Sequence, residues 1–344
     1  MSLRIEPLTA ASARDWDAFV ERCPGATFFH KAGWKAVIEK AFGHPTYFVS
    51  AMTGDRIVGV LPLVHVKSRL FGNALISNAF CVAGGPAADD QAAKRALIAH
   101  AVQLLETTGA DYVELRDGET AVDGWVRHDE LYASFARPLK PDAEAELKQI
   151  PRKQRAVVRK ALENKELTWT IEADFTDFYR LFAVSVRNHG TPVLPRRFFN
   201  CLRHEFGDAM EILTVRAGGN AVSSVLSFYF RDRVLPYYTG SIGEARRLGT
   251  NDFMYWQLMR HAAERGASVF DFGRSRRGTG PFHFKKNWGF EPRPVAHDFL
   301  LRAGRALPRV TPDNPKYALF VGLWRRLPLP LANALGPLIV RYIG

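Results

Sequence analysis

The sequence has only three cysteines, no long apolar run and no apolar leader, and each absence excludes a class of protein. Cys23, Cys81 and Cys201 lie far apart, which excludes a disulfide framework and a cysteine-based zinc motif. No stretch reaches ~18 uninterrupted apolar residues, so no membrane-spanning helix is expected. Residues 1–9 contain no apolar segment behind a basic cap, so we expect no signal peptide and a cytoplasmic protein.

What the chain does contain is typical of a globular protein with a basic surface. Its 344 residues are 47% hydrophobic and 24% charged, which excludes a mostly disordered or fibrous chain. The length predicts about two domains. The formal net charge of +12 favours polyanionic partners, namely nucleic acid, anionic lipid or phosphorylated substrates.

Hydrophobic periodicity predicts a mixed α/β chain whose elements occur twice in the same order. In the first half, two β-rich runs flank the turn residues 53–55 and predict a hairpin. Residues 91–108 have apolar side chains at helical spacing and end at Gly109, a good C-cap. Residues 111–116 (DYVELR) then alternate like a strand.

The second half has the same order. The runs 211–216 and 221–230 predict another hairpin, and a helix over 252–265 ends before the strand SVFDFG. Gly109 and Gly266 lie 157 positions apart, within ETTGADYVELR and AERGASVFDFG. This similarity indicates two copies of one supersecondary unit. Chance is the alternative, since helix–glycine–strand units are common in α/β proteins.

The most basic segment lies between the two copies. Residues 148–165 contain seven lysines and arginines and one glutamate. Arg152, Arg155 and Arg159 have the spacing i, i+3, i+7 and share one face of a predicted helix. The pattern is typical either of a solvated helix face or of a docking surface for phosphates. In the second case Arg152 and Arg155 are the candidate ligands.

The composition changes again in the tail, residues 303–344. Prolines interrupt it at positions 308, 312, 315, 328, 330 and 337. Between them, aromatic and leucine side chains over 317–324 precede Arg325 and Arg326. The pattern predicts either helices packed on the second half or an amphipathic segment lying on an anionic bilayer, peripheral to the inner membrane.

One candidate anion site is the loop RRLGTN, residues 246–251. It follows a strand-like run and opens a helix, whose free N–H groups and dipole favour an anion. Gly249 allows close backbone approach, and Arg246 and Arg247 add positive charge. The loop resembles the R-x-x-G-x-G/A pyrophosphate loop of GNAT acyltransferases, with Asn251 at the last small position. An ordinary turn and N-cap is the alternative.

The other candidate site begins at Asp271, which ends a buried strand and enters a glycine-rich loop, where α/β proteins usually form sites. A helix cap or an ion pair with an arginine is the alternative role for Asp271. The cations that follow would bind a carboxylate or phosphate; they are Arg274, Arg276, Arg277, Lys285 and Lys286. Tyr238 ends a strand and either donates to an oxyanion or packs. No pattern supports metal ligation.

These motifs together resemble FemAB-type proteins of the GNAT superfamily. The resemblance rests on YYTG (237–240), NDFMYWQLM (251–259) and FDFGRSRRGTGPFHFKKNWGFEP (270–292). The last is most similar to the branch found with exosortase (PEP-CTERM) and exopolysaccharide loci. The likeness covers nearly the whole chain, strongly over 220–300 and weakly over 1–135.

The resemblance implies an α/β (α+β layered) fold of tandem duplicated GNAT-like domains. These would span 1–140 and 167–302, with a basic helix over 141–166 between them and the tail after them. It also implies an acyl- or aminoacyltransferase. Well-known members move amino acids from aminoacyl-tRNA onto the stem peptide of a peptidoglycan precursor.

For individual residues, the resemblance matches Lys285 to the family's F-K lysine, which contacts the acceptor. It matches Asp271 and Gly273 to the strand-end turn of the site. Family members with a tRNA donor carry a long coiled-coil arm, and residues 148–165 are too short for one. That puts tRNA in doubt and leaves acyl-CoA open as co-substrate, with no tightly bound cofactor.

We hypothesise that an acceptor amine or hydroxyl attacks a bound thioester or ester, with Asp271 or Tyr238 assisting proton removal. The acceptor would be an anionic envelope precursor or a polysaccharide. The alternative function is a non-catalytic GNAT-fold scaffold that binds exopolysaccharide or protein-sorting machinery.

Overall fold

The computed structural model describes residues 3–68, 72–116, 122–243, 245–306 and 315–342. Its strands are β1 Leu3–Pro7, β2 Thr46–Thr53, β3 Arg56–Ser68, β4 Gly72–Ser77, β5 Ala87–Ala88, β6 Tyr112–Arg116, β7 Val126–Pro138, β8 Leu167–Glu172, β9 Met210–Ala217, β10 Asn220–Phe230, β11 Arg233–Ser241, β12 Val269–Arg276 and β13 Arg293–Leu301. Its helices are α1 Ala13–Arg22, α2 Gly33–Phe42, α3 Gln91–Thr108, α4 Ala143–Gln149, α5 Arg152–Glu163, α6 Thr176–His189, α7 Arg196–Phe206, α8 Ala245–Leu248, α9 Thr250–Glu264, α10 Gly280–Asn287, α11 Pro315–Arg326 and α12 Leu329–Val340.

All described strands belong to one sheet with the order β1-β2-β3-β4-β6-β13-β7-β12-β11-β10-β9-β8, and β5 pairs with β3. The first half supplies β1 to β6 and the second half supplies β8 to β12. The last strand of each half is exchanged, because β7 pairs with β12 and β13 pairs with β6, both antiparallel. The two exchanged strands also pair with each other at the centre. Counted from either end, the sheet therefore has five strands of one half followed by the strand that the other half contributes.

The repeat in the sequence is a repeat in the structure. Helices α3 and α9 each lead into a strand that pairs in parallel with an earlier one, β4 with β6 and β11 with β12. Gly109 and Gly266 follow these helices with φ of 65° and 89°, which glycine adopts at little cost. The offset of 157 makes Glu114 equivalent to Asp271, and Arg116 equivalent to Gly273.

One face of the sheet carries a core that both halves build. Helices α1, α2, α6 and α7 contribute to it, and burial of their aromatic rings supplies the main driving force. Phe28 of the first half stacks on Phe228 of the second at 4.4 Å between ring centroids. On the other face, α3 covers the first half, and α5, α9 and α10 cover the second. The shared core and the strand exchange join the two halves.

The basic connecting segment forms two helices, α4 and α5, rather than one. Pro151 separates them, since proline has no N–H to continue a helix. Helix α5 is amphipathic: Val158 and Ala161 are buried, and Arg152, Val157 and Arg159 are exposed.

In the tail, α11 and α12 pack on α6, and Trp324, Ala332 and Gly336 are buried. This is the packed alternative that the sequence allowed. Pro308 and Pro312 lie outside the described residues. Among the described helices, none combines the length and the apolar character needed to cross a bilayer.

Candidate functional site

A gap opens between β11 and β12. The two strands pair in parallel only at Arg233–Val269 and Val234–Phe270. Beyond that point β11 continues to Ser241 and pairs with β10 along its other edge. No strand among the described residues pairs with the β11 edge that faces the gap. Backbone N–H and C=O groups of such an edge can hydrogen-bond an extended ligand.

A β-bulge between Asp271 and Gly273 shapes the wall of this gap. The Asp271 carboxylate accepts a 2.9 Å hydrogen bond from the Gly273 N–H. Gly273 has φ of 65°, which residues with a Cβ rarely adopt. A Cβ built on Gly273 meets no atom within 4 Å. The turn therefore faces open space, as a ligand-binding backbone would.

Lys285 holds the same turn from the opposite side of the sheet. Its Nζ donates to the carbonyls of Phe272 at 2.7 Å, Gly273 at 3.2 Å and Arg274 at 3.1 Å. These three acceptors use all three N–H donors of an ammonium. Burial lowers the pKa of Lys285 to about 7. In this structure Lys285 positions the turn, and it has no donor left for an acceptor molecule.

The rest of the FKKNWGF stretch also has structural contacts. Trp288 is fully buried, and its Nε1 donates to Asp252 Oδ1 at 3.1 Å, which Gln154 reaches at 2.6 Å. A Cβ on Gly289 would lie 2.8 Å from the carbonyl oxygen of Gln149, so glycine is required there. The stretch thus fastens α10 to α9 and to the α4–α5 joint. Of its two lysines, only Lys286 is exposed.

Asp271 is the carboxylate nearest to the turn. Its side chain is 22% exposed, and Arg233 lies 3.6 Å away. Burial raises its pKa, against the opposing effects of the Gly273 N–H and Arg233. A partly exposed carboxylate with a raised pKa is suited to accept a proton. The predicted ion pair with an arginine is present as well.

Tyr238 lies on β11 and points into the rings of α6 and α7. It contacts Phe182, Phe198 and Phe199 edge-on. Its hydroxyl is buried and has no hydrogen-bond partner among the described residues. Burial raises its pKa well above the ordinary value, so the phenol keeps its proton and acts as a donor rather than a base.

The predicted anion loop forms a break between two helices. Gly249 has φ of 68° and separates α8 from α9, which begins without a side-chain cap. Asn251 Oδ1 is buried and has no hydrogen-bond partner within the described part of the chain, and Arg247 is exposed. The Arg246 side chain lies outside the described part. Because a helix N-terminus beside an arginine attracts phosphate, the loop stays a candidate pyrophosphate site.

The basic helix α5 lies against this loop. Ala161 Cβ is 3.4 Å from where a Cβ of Gly249 would stand, and the Gln154–Asp252 bond holds the start of α5 beside the first turn of α9. Arg152 is exposed at that end. Arg155 differs from expectation: it donates to the carbonyls of Ile150 at 3.1 Å and Lys148 at 3.4 Å. Its guanidinium caps α4, so it does not extend toward the loop.

A polar cluster at the seam of the two halves is the feature that sequence reasoning missed. Arg116 Nε and His297 Nδ1 both donate to Glu114 Oε1, at 2.8 and 2.9 Å. Arg274 donates to His297 Nε2 at 3.1 Å and stacks on Tyr132 at 4.2 Å. The arginine donor assigns the imidazole proton to Nδ1. The members come from four strands far apart in sequence, so no local pattern indicated them.

Charge in this seam cluster is uneven. Burial acts to raise the pKa of Glu114, but Arg116 and His297 outweigh it and lower that pKa to about 2. Burial lowers the pKa of His297, so its ring is neutral at pH 7. Among the described side chains of the cluster, one carboxylate therefore stands with two guanidiniums. Arg274, a predicted anion-binding residue, has a neutral imidazole as its partner and is only partly buried.

A groove of about 960 Å³ also lies between the halves, on the side of α2 and α7. None of the predicted site residues lines it. Its lysines are already neutralised, Lys31 by Glu21 at 2.8 Å and Lys35 by Glu39. Within the described residues, no group of three His, Cys, Asp or Glu side chains is arranged to hold a metal ion.

Comparisons with known protein families and solved structures agree with the two-half fold described above. The profile of the Acetyltransferase (GNAT) domain family matches residues 148–286. The structure is similar to that of FemX, with a TM-score of 0.67 and 16% identity over 92% of this chain and 100% of FemX. No curated protein sequence matches the chain significantly.

Two further solved structures have the same architecture. The C-terminal domain (DUF2156) assigned to a lysylphosphatidylglycerol synthetase from Agrobacterium fabrum has a TM-score of 0.57 and 13% identity, over 86% of this chain and 93% of that one. A tandem GNAT protein from the clavulanic acid biosynthesis pathway has a TM-score of 0.54 and 15% identity, over 89% and 100%. The predicted fold class, tandem GNAT-like domains, is therefore confirmed. The fold is that of GNAT acyltransferases.

Proposed function

We propose that the second half catalyses acyl transfer from a thioester bound in the gap between β11 and β12. The observation that carries this proposal is the open strand gap next to the uncapped start of α9. An extended acyl donor can pair with the free edge of β11, and its phosphates can reach the helix N-terminus. The GNAT profile over residues 148–286 supports the same half.

The donor we propose is acyl-CoA. Its pyrophosphate would contact Arg247 and the backbone at Gly249 and Asn251, with Arg152 nearby. Aminoacyl-tRNA is the other activated donor of the resemblance, but α5 has only 12 residues and offers a small basic surface. No tightly bound cofactor is required, since the thioester itself supplies the activation.

In the proposed reaction, an acceptor amine or hydroxyl attacks the thioester carbonyl. A C–N or C–O bond forms, the C–S bond breaks, and the acceptor proton passes to the Asp271 carboxylate. The departing CoA thiolate is then protonated, which returns Asp271 to its charged form. Because the Tyr238 hydroxyl is enclosed by the rings of α6 and α7, positioning along the β11 edge and polarisation by its backbone N–H groups would supply most of the acceleration.

The acceptor we propose is an anionic envelope precursor or an exopolysaccharide-related molecule. Arg274 and Lys286 follow Asp271 in the sequence, and Lys286 is exposed. Both would supply positive charge to such a molecule. The resemblance to the exosortase-associated FemAB branch supports this class. The same fold occurs in a domain assigned to a lysylphosphatidylglycerol synthetase, whose name describes an aminoacylated anionic lipid.

Donor binding tests the proposal directly. Thermal unfolding of the full chain is followed with acetyl-CoA, longer acyl-CoAs and aminoacyl-tRNA. A ligand at 100 times its Kd stabilises by about 2.7 kcal/mol, and we expect such a shift with an acyl-CoA. No shift with any acyl-CoA would overturn the donor assignment. No shift with either donor class would favour the non-catalytic scaffold.

A further inference from the structure

The C-terminal helices expose a cluster of leucines. Of nine large apolar side chains exposed in the described chain, four lie here: Leu323 (59% exposed), Leu331 (45%), Leu335 (38%) and Leu338 (63%). The last three have the spacing i, i+4, i+7, so they share one face of α12. An apolar stripe of this kind marks an interaction surface rather than a scatter of single residues.

The opposite face of α12 is fixed to the body of the protein. A Cβ on Gly336 would lie 2.8 Å from the Val193 backbone nitrogen, so the helix packs closely on the second half. Past its end, Arg341 donates to the carbonyl of Phe42 at 2.7 Å, and His44 Nε2 donates to the carbonyl of Arg341 at 2.5 Å. Both halves hold the helix, so its leucine face is presented permanently to the outside.

The charge of this region is of one sign. Residues 315–342 contain four lysines and arginines and no aspartate or glutamate. Arg325 and Arg326 are exposed at the corner between α11 and α12. Leucines beside exposed arginines match the boundary between acyl chains and anionic headgroups of a bilayer. A second copy of the chain is a poorer fit, because a symmetric contact would bring arginines against arginines.

We propose that the α11–α12 corner docks the protein on an anionic phospholipid bilayer. Leu331, Leu335 and Leu338 enter the headgroup–acyl boundary, and Arg325 and Arg326 contact lipid phosphates. The helices lie in the plane of the membrane and do not cross it. This interaction is independent of acyl transfer, and it would hold the protein where membrane-bound acceptors are.

The test is co-sedimentation of the full chain with vesicles. One set contains phosphatidylcholine alone, and the other contains phosphatidylcholine mixed with phosphatidylglycerol, at low and high salt. We expect binding to the anionic vesicles, much weaker binding to the neutral ones, and loss of binding at high salt. Absence of binding to the anionic vesicles at low salt would overturn the proposal.

Two variants separate the apolar and charged contributions. The triple variant Leu331→Ser, Leu335→Ser, Leu338→Ser changes only outward side chains and should lower the partition coefficient at least about tenfold. Arg325→Glu with Arg326→Glu should remove the preference for anionic vesicles. The matched control replaces three exposed apolar residues elsewhere, Val126→Ser, Leu131→Ser and Ile171→Ser, and should bind like the unaltered protein.

Several results would contradict the proposal. Vesicle binding that survives both variants would place the contact elsewhere on the basic surface. Equal weakening by the control would show a non-specific effect of lost apolar area. If light scattering shows a dimer that the triple serine variant dissociates, with vesicle binding unchanged, the leucine face is a self-association surface.

One result would support the proposal independently of catalysis. The two variants would lose vesicle binding while their donor-induced thermal shifts stay unchanged.

Discussion

The two halves are related by an offset of 157 residues, so Glu114 and Arg116 of the first half are equivalent to Asp271 and Gly273 of the second half. In the first half the parallel pairing of β4 and β6 runs to Ile76–Glu114. The Arg116 N–H then donates to Ser77 Oγ at 2.7 Å, and the Gly85 N–H donates to the Arg116 carbonyl at 2.8 Å. These bonds close the place where β11 and β12 leave a gap.

The N-termini of the equivalent helices α3 and α9 differ in the same way. The Asp90 side chain caps α3 by accepting the Ala93 N–H at 2.8 Å, and a second acid, Asp89, lies beside it. Negative charge at a helix N-terminus satisfies its dipole and repels a phosphate. Helix α9 instead has no side-chain cap: Asp252 in its first turn accepts from Gln154 and Trp288, and Arg247 is exposed just before the helix. The comparison teaches that one copy of the unit is closed by its own hydrogen bonds, whereas the other keeps the strand gap that the proposed donor site requires.

The largest difference is expected between the equivalent carboxylates. Glu114→Gln removes the buried carboxylate that accepts from Arg116 and His297 and should cost about 3–5 kcal/mol of unfolding free energy, measured by urea denaturation. Asp271→Asn, the matched variant, should cost less than about 1 kcal/mol but slow the release of CoA thiol at least about 100-fold. Equal stability losses, or an unaffected transfer rate in Asp271→Asn, would break the comparison.

The pH dependence of stability should also distinguish the halves. Unfolded lysine keeps its proton to about pH 10.4, whereas folded Lys285 loses it near pH 7. Between these values the unfolded state binds more protons, so this group makes stability rise with pH, by up to about 1.4 kcal/mol per pH unit. The difference in unfolding free energy between the natural protein and Lys285→Met isolates the effect. A difference that stays flat from about pH 7 to about pH 10 would refute the shifted pKa.

Two glycines with the same backbone angle sharpen the comparison of the gaps. Gly273 and Gly109 both have φ of 65°, so alanine at either should cost about 1–2 kcal/mol through strain. Only Gly273→Ala adds a methyl group to the gap, so only this variant should reduce CoA thiol release, by about tenfold. A similar rate loss in Gly109→Ala would mean that global strain, and not the gap, controls the rate.

The smallest effect is expected at the two helix starts. Arg247→Ala should raise the Kd for CoA about three- to tenfold at low salt, measured by titration calorimetry, because one exposed phosphate contact is lost. The control is Arg95→Ala, an exposed arginine near the capped start of α3, which should leave the Kd unchanged. If both variants weaken CoA binding alike, the basic surface as a whole attracts the ligand.

Local pattern was enough for much of the fold. The hairpins β2–β3 and β9–β10 and the helices that end before Gly109 and Gly266 all follow from periodicity and turn chemistry within short windows. These features depend on neighbours in the chain, and the residue types there favour one local conformation. The tandem α/β architecture was predictable for the same reason. The prediction that Asp271 ends a strand was wrong, because β12 continues to Arg276 alongside β7.

Other features were decided only by tertiary structure. The sequence FKKN predicts a free lysine, but packing of α10 turns Lys285 inward, where it donates to three backbone carbonyls. Arg155 likewise donates to the carbonyls at the end of α4. The exchange of β7 and β13 could not be predicted from the sequence. The alternation of apolar and polar residues along a strand is the same whichever strand pairs with it. The Glu114–His297 bond joins residues 183 positions apart. Such contacts depend on which distant surfaces meet, and a local pattern carries no information about that.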